Sequence, residues 1–266
     1  MKLTQRRFIN EDLAALIETA PATADAIDAE QRRSFSVRLR SVPTTQTRRI
    51  DAWLVEHAGH GGRPFSWRPS TARRLIGTAA AQRLQGQPQR VTDVVRDVID
   101  EYMVRAISGQ ARFGSLGHWL SGLAPATLGL VVAEATNWCH QLLESQAIVG
   151  AGATLCAADT YYNVNAAQTT LRGRRDMTVV TPSQRVVVRV RHGVPGKSAG
   201  AGLRTDLVID ALGHPDGISA ARFIGVWPDA GLVLSVDGTM DNLRAGARAI
   251  VRTAVVQRRE ILTAAA

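Results

Sequence analysis

Lysine is nearly missing from this chain. Among its 32 basic residues only Lys2 and Lys197 are lysines, so almost all positive charge is guanidinium, which stays protonated and cannot act as a base at neutral pH. Cysteine is scarce too. Cys139 and Cys156 are too few for a disulfide scaffold, and without a CxxC pair they exclude a self-contained cysteine-ligated iron–sulfur cluster. No apolar run approaches the length that crosses a bilayer, so no membrane partner is expected. The charged start Met1–Arg7 has no apolar stretch behind it, which predicts no signal peptide and a reduced, cytoplasmic protein.

What is present is an ordinary globular balance, 45% hydrophobic and 21% charged over 266 residues, enough for one large domain or two small ones. The net charge of +9 is the notable excess. It makes nucleic acid a candidate partner, held through phosphate contacts that weaken with salt.

Patterning predicts helices at 11–19 and 26–40, broken by Pro21, and then a Thr/Ser-rich linker at 41–49. A short helix at 50–58 runs into the glycine-rich loop 57–62. His57 and His60 in that loop have no further ligands nearby, so no metal site is expected there. Helices follow at 71–84, 91–107 (Val94, Val95, Val98 and Ile99 at helical spacing), around 119–123 and at 127–148. The remainder reads as strands at 169–180 and 184–191, a helix at 203–212, strands at 220–226 and 231–236, and a helix at 241–261. In that last helix Arg244, Arg248 and Arg252 recur every fourth residue, which describes either a solvated face or a stripe that tracks phosphates.

Residues 169–193, TTLRGRRDMTVVTPSQRVVVRVRHG, carry the most information. Alternation in two strands joined by Thr181-Pro182-Ser183 sets Arg172, Arg174 and Asp176 beside Arg185, Val187, Arg189 and Arg191. Val186, Val188 and Val190 form the core face. This predicts one acid standing among arginines on a solvent-facing sheet surface. A charged strand face that is merely solvated, with Asp176 paired to one arginine, gives the same pattern.

Nucleases of the RecB-like branch of the PD-(D/E)xK superfamily carry G-x-x-D and then V-D-Y-K-T-G on consecutive strands. Gly173-Arg174-Arg175-Asp176 resembles the first element, and Val188-Arg189-Val190-Arg191-His192-Gly193 resembles the second. Arg189 stands where the family has its second aspartate, and Arg191 where it has its lysine. Asp206-Leu207-Val208-Ile209-Asp210 occupies the place of the family's Q-L-x-L-Y helix, and Ser66-Trp67-Arg68-Pro69-Ser70 is similar to its serine-rich helix start. The similarity spans roughly residues 64–266. It implies an α/β fold of restriction-endonuclease-like type, a small mixed sheet flanked by helices. The N-terminal helical and linker region would be 1–63, and the nuclease-like domain would divide into a helical part, 64–150, and a sheet-containing part, 151–266.

A magnesium nuclease needs at least two carboxylates converging on a hard cation. Arginines at 189 and 191 repel such a cation, since even two unit like charges 4 Å apart cost about 4 kcal/mol at an effective dielectric of 20. They suit a phosphate, which guanidinium forks bind in bidentate fashion. The expectation is therefore a catalytically inactive, nuclease-like module that binds DNA or docks to a helicase–nuclease complex in DNA processing or defence, with no cofactor. Arg172, Arg174, Arg189, Arg191, Lys197, Arg244, Arg248 and Arg252 would hold phosphates. One rival is a divergent active nuclease using magnesium, with Asp176 joined by Asp206, Asp210 or Glu134. It requires the helix after the glycine-rich loop to turn its acids toward Asp176. The other is a structural adaptor for an acidic protein. Pro228-Asp229 reads as a turn between strands rather than a catalytic element, and Gly193-Val194-Pro195-Gly196-Lys197 lacks the spacing of a nucleotide-binding loop.

Overall fold

The computed structural model describes residues 3–44, 47–57, 67–85, 87–110, 115–150, 152–156, 159–180, 184–191 and 193–264, with the side chains of 3–10, 70 and 259–264 outside that description. In chain order the elements are α1 (Leu3–Glu18), α2 (Ala29–Arg40), β1 (Arg48–Asp51), α3 (Ala52–Glu56), α4 (Pro69–Arg83), α5 (Val91–Ile107), α6 (Leu116–Ser121), α7 (Pro125–Val149), β2 (Ala153–Leu155), β3 (Thr160–Val164), β4 (Thr169–Gly173), β5 (Met177–Val180), β6 (Arg185–Val190), α8 (Ala199–Gly213), β7 (Arg222–Trp227), β8 (Leu232–Asp237) and α9 (Met240–Ala264). The fold is α/β, with two mixed sheets among the described residues.

The chain divides into two compact units. The larger joins residues 1–63, 148–154 and 158–266, and the smaller holds 64–147 with 155–157. The first 63 residues share their unit with residues 148–154 and 158–266. The reason is β1, which straddles the end of the stretch read as a linker (41–49) and the start of the helix expected from 50. It pairs in parallel with β4, Arg48 opposite Thr169 and Asp51 opposite Arg172.

In the smaller unit, α5 buries Val94, Val95, Val98 and Ile99, the face its sequence spacing predicts. Gly77 of α4 admits the backbone of Ala135 and the indole of Trp138 on α7, where a Cβ would stand 2.6 Å from the Ala135 carbonyl oxygen.

In the larger unit a three-stranded sheet runs β1-β4-β3, and a five-stranded sheet runs β2-β5-β6-β7-β8. β5 and β6 are antiparallel, β6 and β7 parallel across the α8 connection, and β7 and β8 antiparallel. Helix α8 is apolar nearly all round: Leu203, Leu207, Val208, Ile209 and Leu212 are all buried in the core that also takes in Ile50, Leu171, Val187 and Phe223. A helix buried on every side leaves no outlet for its charged residues except toward partners.

The segment 169–180 is two strands in two sheets rather than one. Gly173 ends β4 against α8, where a Cβ would stand 2.9 Å from an Ile209 methyl. The chain then crosses over, and Asp176 starts the pairing with β6 by donating its N–H to the Val188 carbonyl. The turn residues Thr181, Pro182 and Ser183 lie outside the described residues, as do Ser66, His60 and His192. At the other end of the unit, α2 opens on a capping box between Asp28 and Gln31. The buried Arg48 guanidinium closes its far end, donating to the Leu39 carbonyl of the last turn at 3.4 Å and to the Val42 carbonyl just beyond it at 2.9 Å.

Candidate functional site: a closed arginine–carboxylate cluster

The expected exposed arginine face does not exist. Val186, Val187, Val188, Arg189 and Val190 are all buried, so β6 is covered on both faces, and Asp176 is fully buried. The physical reason is α8, whose apolar body covers the face predicted to be wet, and whose acids supply the charges that let arginines enter a core.

Asp176 is fixed by the backbone, its Oδ2 accepting from Val190 N at 2.9 Å. Arg189 points to α8, where its Nη1 donates to Asp206 Oδ2. The other oxygen of Asp206 accepts from Arg174 N at 3.3 Å. Arg191 meets α3 instead, its Nη2 donating to both carboxylate oxygens of Glu56, at 2.6 Å to Oε2. The Arg191 guanidinium also lies 5.0 Å from the Trp227 ring centroid. Gly202 makes room for this contact, since a Cβ there would overlap the Glu56 carboxylate. Arg174 stands 3.8 Å from Asp51, completing a network that links β1, α3, the β4–β5 crossing, β6 and α8.

Burial and pairing compete in this cluster. Burial pushes the Glu56 carboxyl above the ordinary range, with Arg191 opposing it. Asp206 is likewise held up by burial against the pull of Arg189 and Arg191. Burial also works against the charge of Arg189, but Asp206, Asp176 and Glu56 outweigh it and hold its guanidinium above the usual value. Arg191 is lowered, by burial first and then by Arg189 beside it.

The remaining predicted residues scatter. Arg172 is paired with Asp159 at 2.7 Å. Asp210, buried on α8, takes the part-buried Arg185 at 2.7 Å and accepts from Ala220 N at 3.2 Å. Glu134 belongs to the smaller unit, on α7, with Arg73 at 3.7 Å. Lys197 is exposed in the turn before α8, and Arg244, Arg248 and Arg252 are exposed along α9. Asp229 sits in the turn between β7 and β8, as read from the sequence, and accepts from Gly193 N at 3.0 Å.

The helix after the glycine-rich loop does turn Asp206 inward, as an active nuclease would require. The space is then taken by Arg189, which carries the charge a cation would bring. These residues do not fit a hard divalent ion. The adjoining gap, lined by Thr160, Arg174, Arg175, Asp206 and Asp210 among others, holds no water-sized volume.

Sequence reasoning missed Glu56, Asp51 and Asp159. Glu56 and Arg191 are 135 positions apart, and no local periodicity connects them. The usable signal is chemical: an arginine predicted on a strand between valines has to find an acid somewhere in the chain. No family model matches the chain, and neither curated proteins nor solved structures return a match.

Proposed function

We propose that this chain is a non-cleaving, nuclease-like module that works by docking, in DNA processing or defence. The observation that carries this reading is Arg189, which lies at the aspartate position of the resemblance with its guanidinium paired to Asp206 and within the fields of Asp176 and Glu56. Carboxylates spent on guanidinium groups are not open to a metal, and arginine is a poor proton acceptor at neutral pH. The order β5–β6–α8–β7, with its antiparallel and then parallel pairing, agrees with a small mixed sheet of restriction-endonuclease-like type. The arginines buried in the cluster serve the fold, and binding to anions falls to the exposed residues Lys197, Arg244, Arg248 and Arg252.

The test is cleavage and binding of labelled single- and double-stranded DNA, with and without magnesium or manganese. Wild type, Asp176→Ala and the triple change Arg244→Ala/Arg248→Ala/Arg252→Ala are compared. The expected result is no cleavage by any of the three proteins. Metal-dependent cleavage by the wild type, lost in Asp176→Ala, would overturn the reading in favour of an active nuclease.

A further inference from the structure

A groove of about 540 Å³ runs between α2 and α9, inside the larger unit. Its floor is apolar, formed by Phe35, Leu212, Leu243 and Val251. Its rim carries Arg38, Arg244, Arg248 and Arg252, all exposed, and none has an ion-pair partner among the described residues. From Arg244 to Arg252 the cations span about 12 Å of helix.

That combination restricts the occupant. A duplex would satisfy the arginines and leave the apolar floor wet. A small apolar acid would fill the floor and neutralise one cation of four. An amphipathic helix with acids repeating every three or four residues satisfies both, laid beside α2 and α9 as helices pack on helices.

This chain contains such a helix. On α5, Asp93, Asp97, Asp100, Val104 and Ile107 follow at steps of four, three, four and three, which places all five on one stripe. The three aspartates are exposed and lack an ion-pair partner among the described residues. Val104 is 62% exposed and Ile107 78%, a large apolar exposure at the end of an acidic run. The aspartates span about 10 Å, close to the roughly 12 Å over which the arginines of α9 run. Arg96 stands at one flank of the stripe, and the buried face of α5 remains covered by its own unit.

We infer that the α2–α9 groove of one copy receives the acidic stripe of α5 from a second copy. The contact joins two different surfaces of the chain, groove to helix, each copy offering one of each. It deepens the docking role proposed above and rests on that reading for its biological sense, but its test does not involve the arginine–carboxylate cluster.

Sedimentation velocity and light scattering on the full chain, from micromolar to sub-millimolar concentration, read the association directly. The expected result is a mass that rises with concentration at low ionic strength and falls at about 0.5 M salt, where the screening length is roughly 4 Å. Arg244→Glu/Arg248→Glu/Arg252→Glu weakens association about tenfold or more, and so does Asp93→Lys/Asp97→Lys/Asp100→Lys. An equimolar mixture of the two variants restores it, because each reversed surface then meets an opposite one. Circular dichroism checks that each variant is folded, and the rescue in the mixture is an outcome that misfolding cannot imitate. A wild type that stays monomeric throughout, or an association unmoved by both reversals, would overturn the inference. So would DNA binding lost in the arginine variant without any self-association, which would make the groove a nucleic-acid surface. Cleavage assays report separately on the function proposed above.

Discussion

Arg191 and Glu56, 135 positions apart with the smaller unit's residues between them in the chain, close a two-pronged pair, one guanidinium nitrogen reaching both carboxylate oxygens. Both side chains are about nine-tenths buried, which makes the pair costly to break from one side.

Glu56→Ala should destabilise the protein by roughly 3–5 kcal/mol, because a buried guanidinium is left without its acid. Gly202→Ala should act in the same direction through crowding of the same carboxylate, with the Glu56→Ala/Gly202→Ala double change losing less than the sum of the two. Urea unfolding of the four proteins measures the coupling.

Arg189 and Asp206 make the second test. Either single change, Arg189→Met or Asp206→Leu, should cost about 3–5 kcal/mol, while the double change should be close to neutral, since an apolar pair of similar volume avoids desolvating two charges. A double change as damaging as the sum of the singles would mean that other members of the cluster, Asp176 above all, need the arginine.

Stability should respond to pH through Glu56 and Asp206. Burial raises both carboxyls in the folded state, so the folded chain holds protons at a pH where the unfolded chain has released them. The slope of stability with pH is then negative: this contribution is complete below the ordinary carboxylate value of about 4 and is lost as pH rises through the raised values. Urea midpoints across that window should fall with rising pH in wild type, and the fall should be shallower in Glu56→Gln and in Asp206→Asn.

The two thiols should differ sharply. Cys139 on α7 is fully buried, and burial pushes its thiol up to about 11, whereas Cys156 is partly exposed. A maleimide or iodoacetamide at neutral pH should label Cys156 in the native protein and reach Cys139 only on unfolding. Mass spectrometry of tryptic peptides distinguishes them.

The helices were legible because each declares its buried face within one or two turns: α5 begins and ends where its valine spacing says, and α9 shows its arginine stripe in the composition alone. The sheet was legible only in part. β6 reads as a strand, but alternation cannot say that a helix 15 residues long will cover its charged face, and Arg189 looks the same whether wet or paired. β1 was hidden because two adjacent arginines beside threonines resemble a linker. Arg48 is in fact spent on carbonyl groups at the end of α2, a role no period reports. Of the cluster, Asp176, Arg189, Arg191 and Asp206 stood out by their type. Glu56 did not, because its partner lies beyond a whole intervening unit.

The parallel pairing of β1 with β4 also sets an order in time. Residues 48–51 leave the ribosome long before residues 169–173, and the larger unit cannot close its small sheet, or pair Glu56 with Arg191, until both have emerged. The smaller unit, nearly continuous in the chain from 64 to 147, meets no such delay. Synthesis from the N-terminus therefore favours a nascent protein whose middle is folded while its first helices and strand wait, their apolar faces uncovered, for a sheet not yet made.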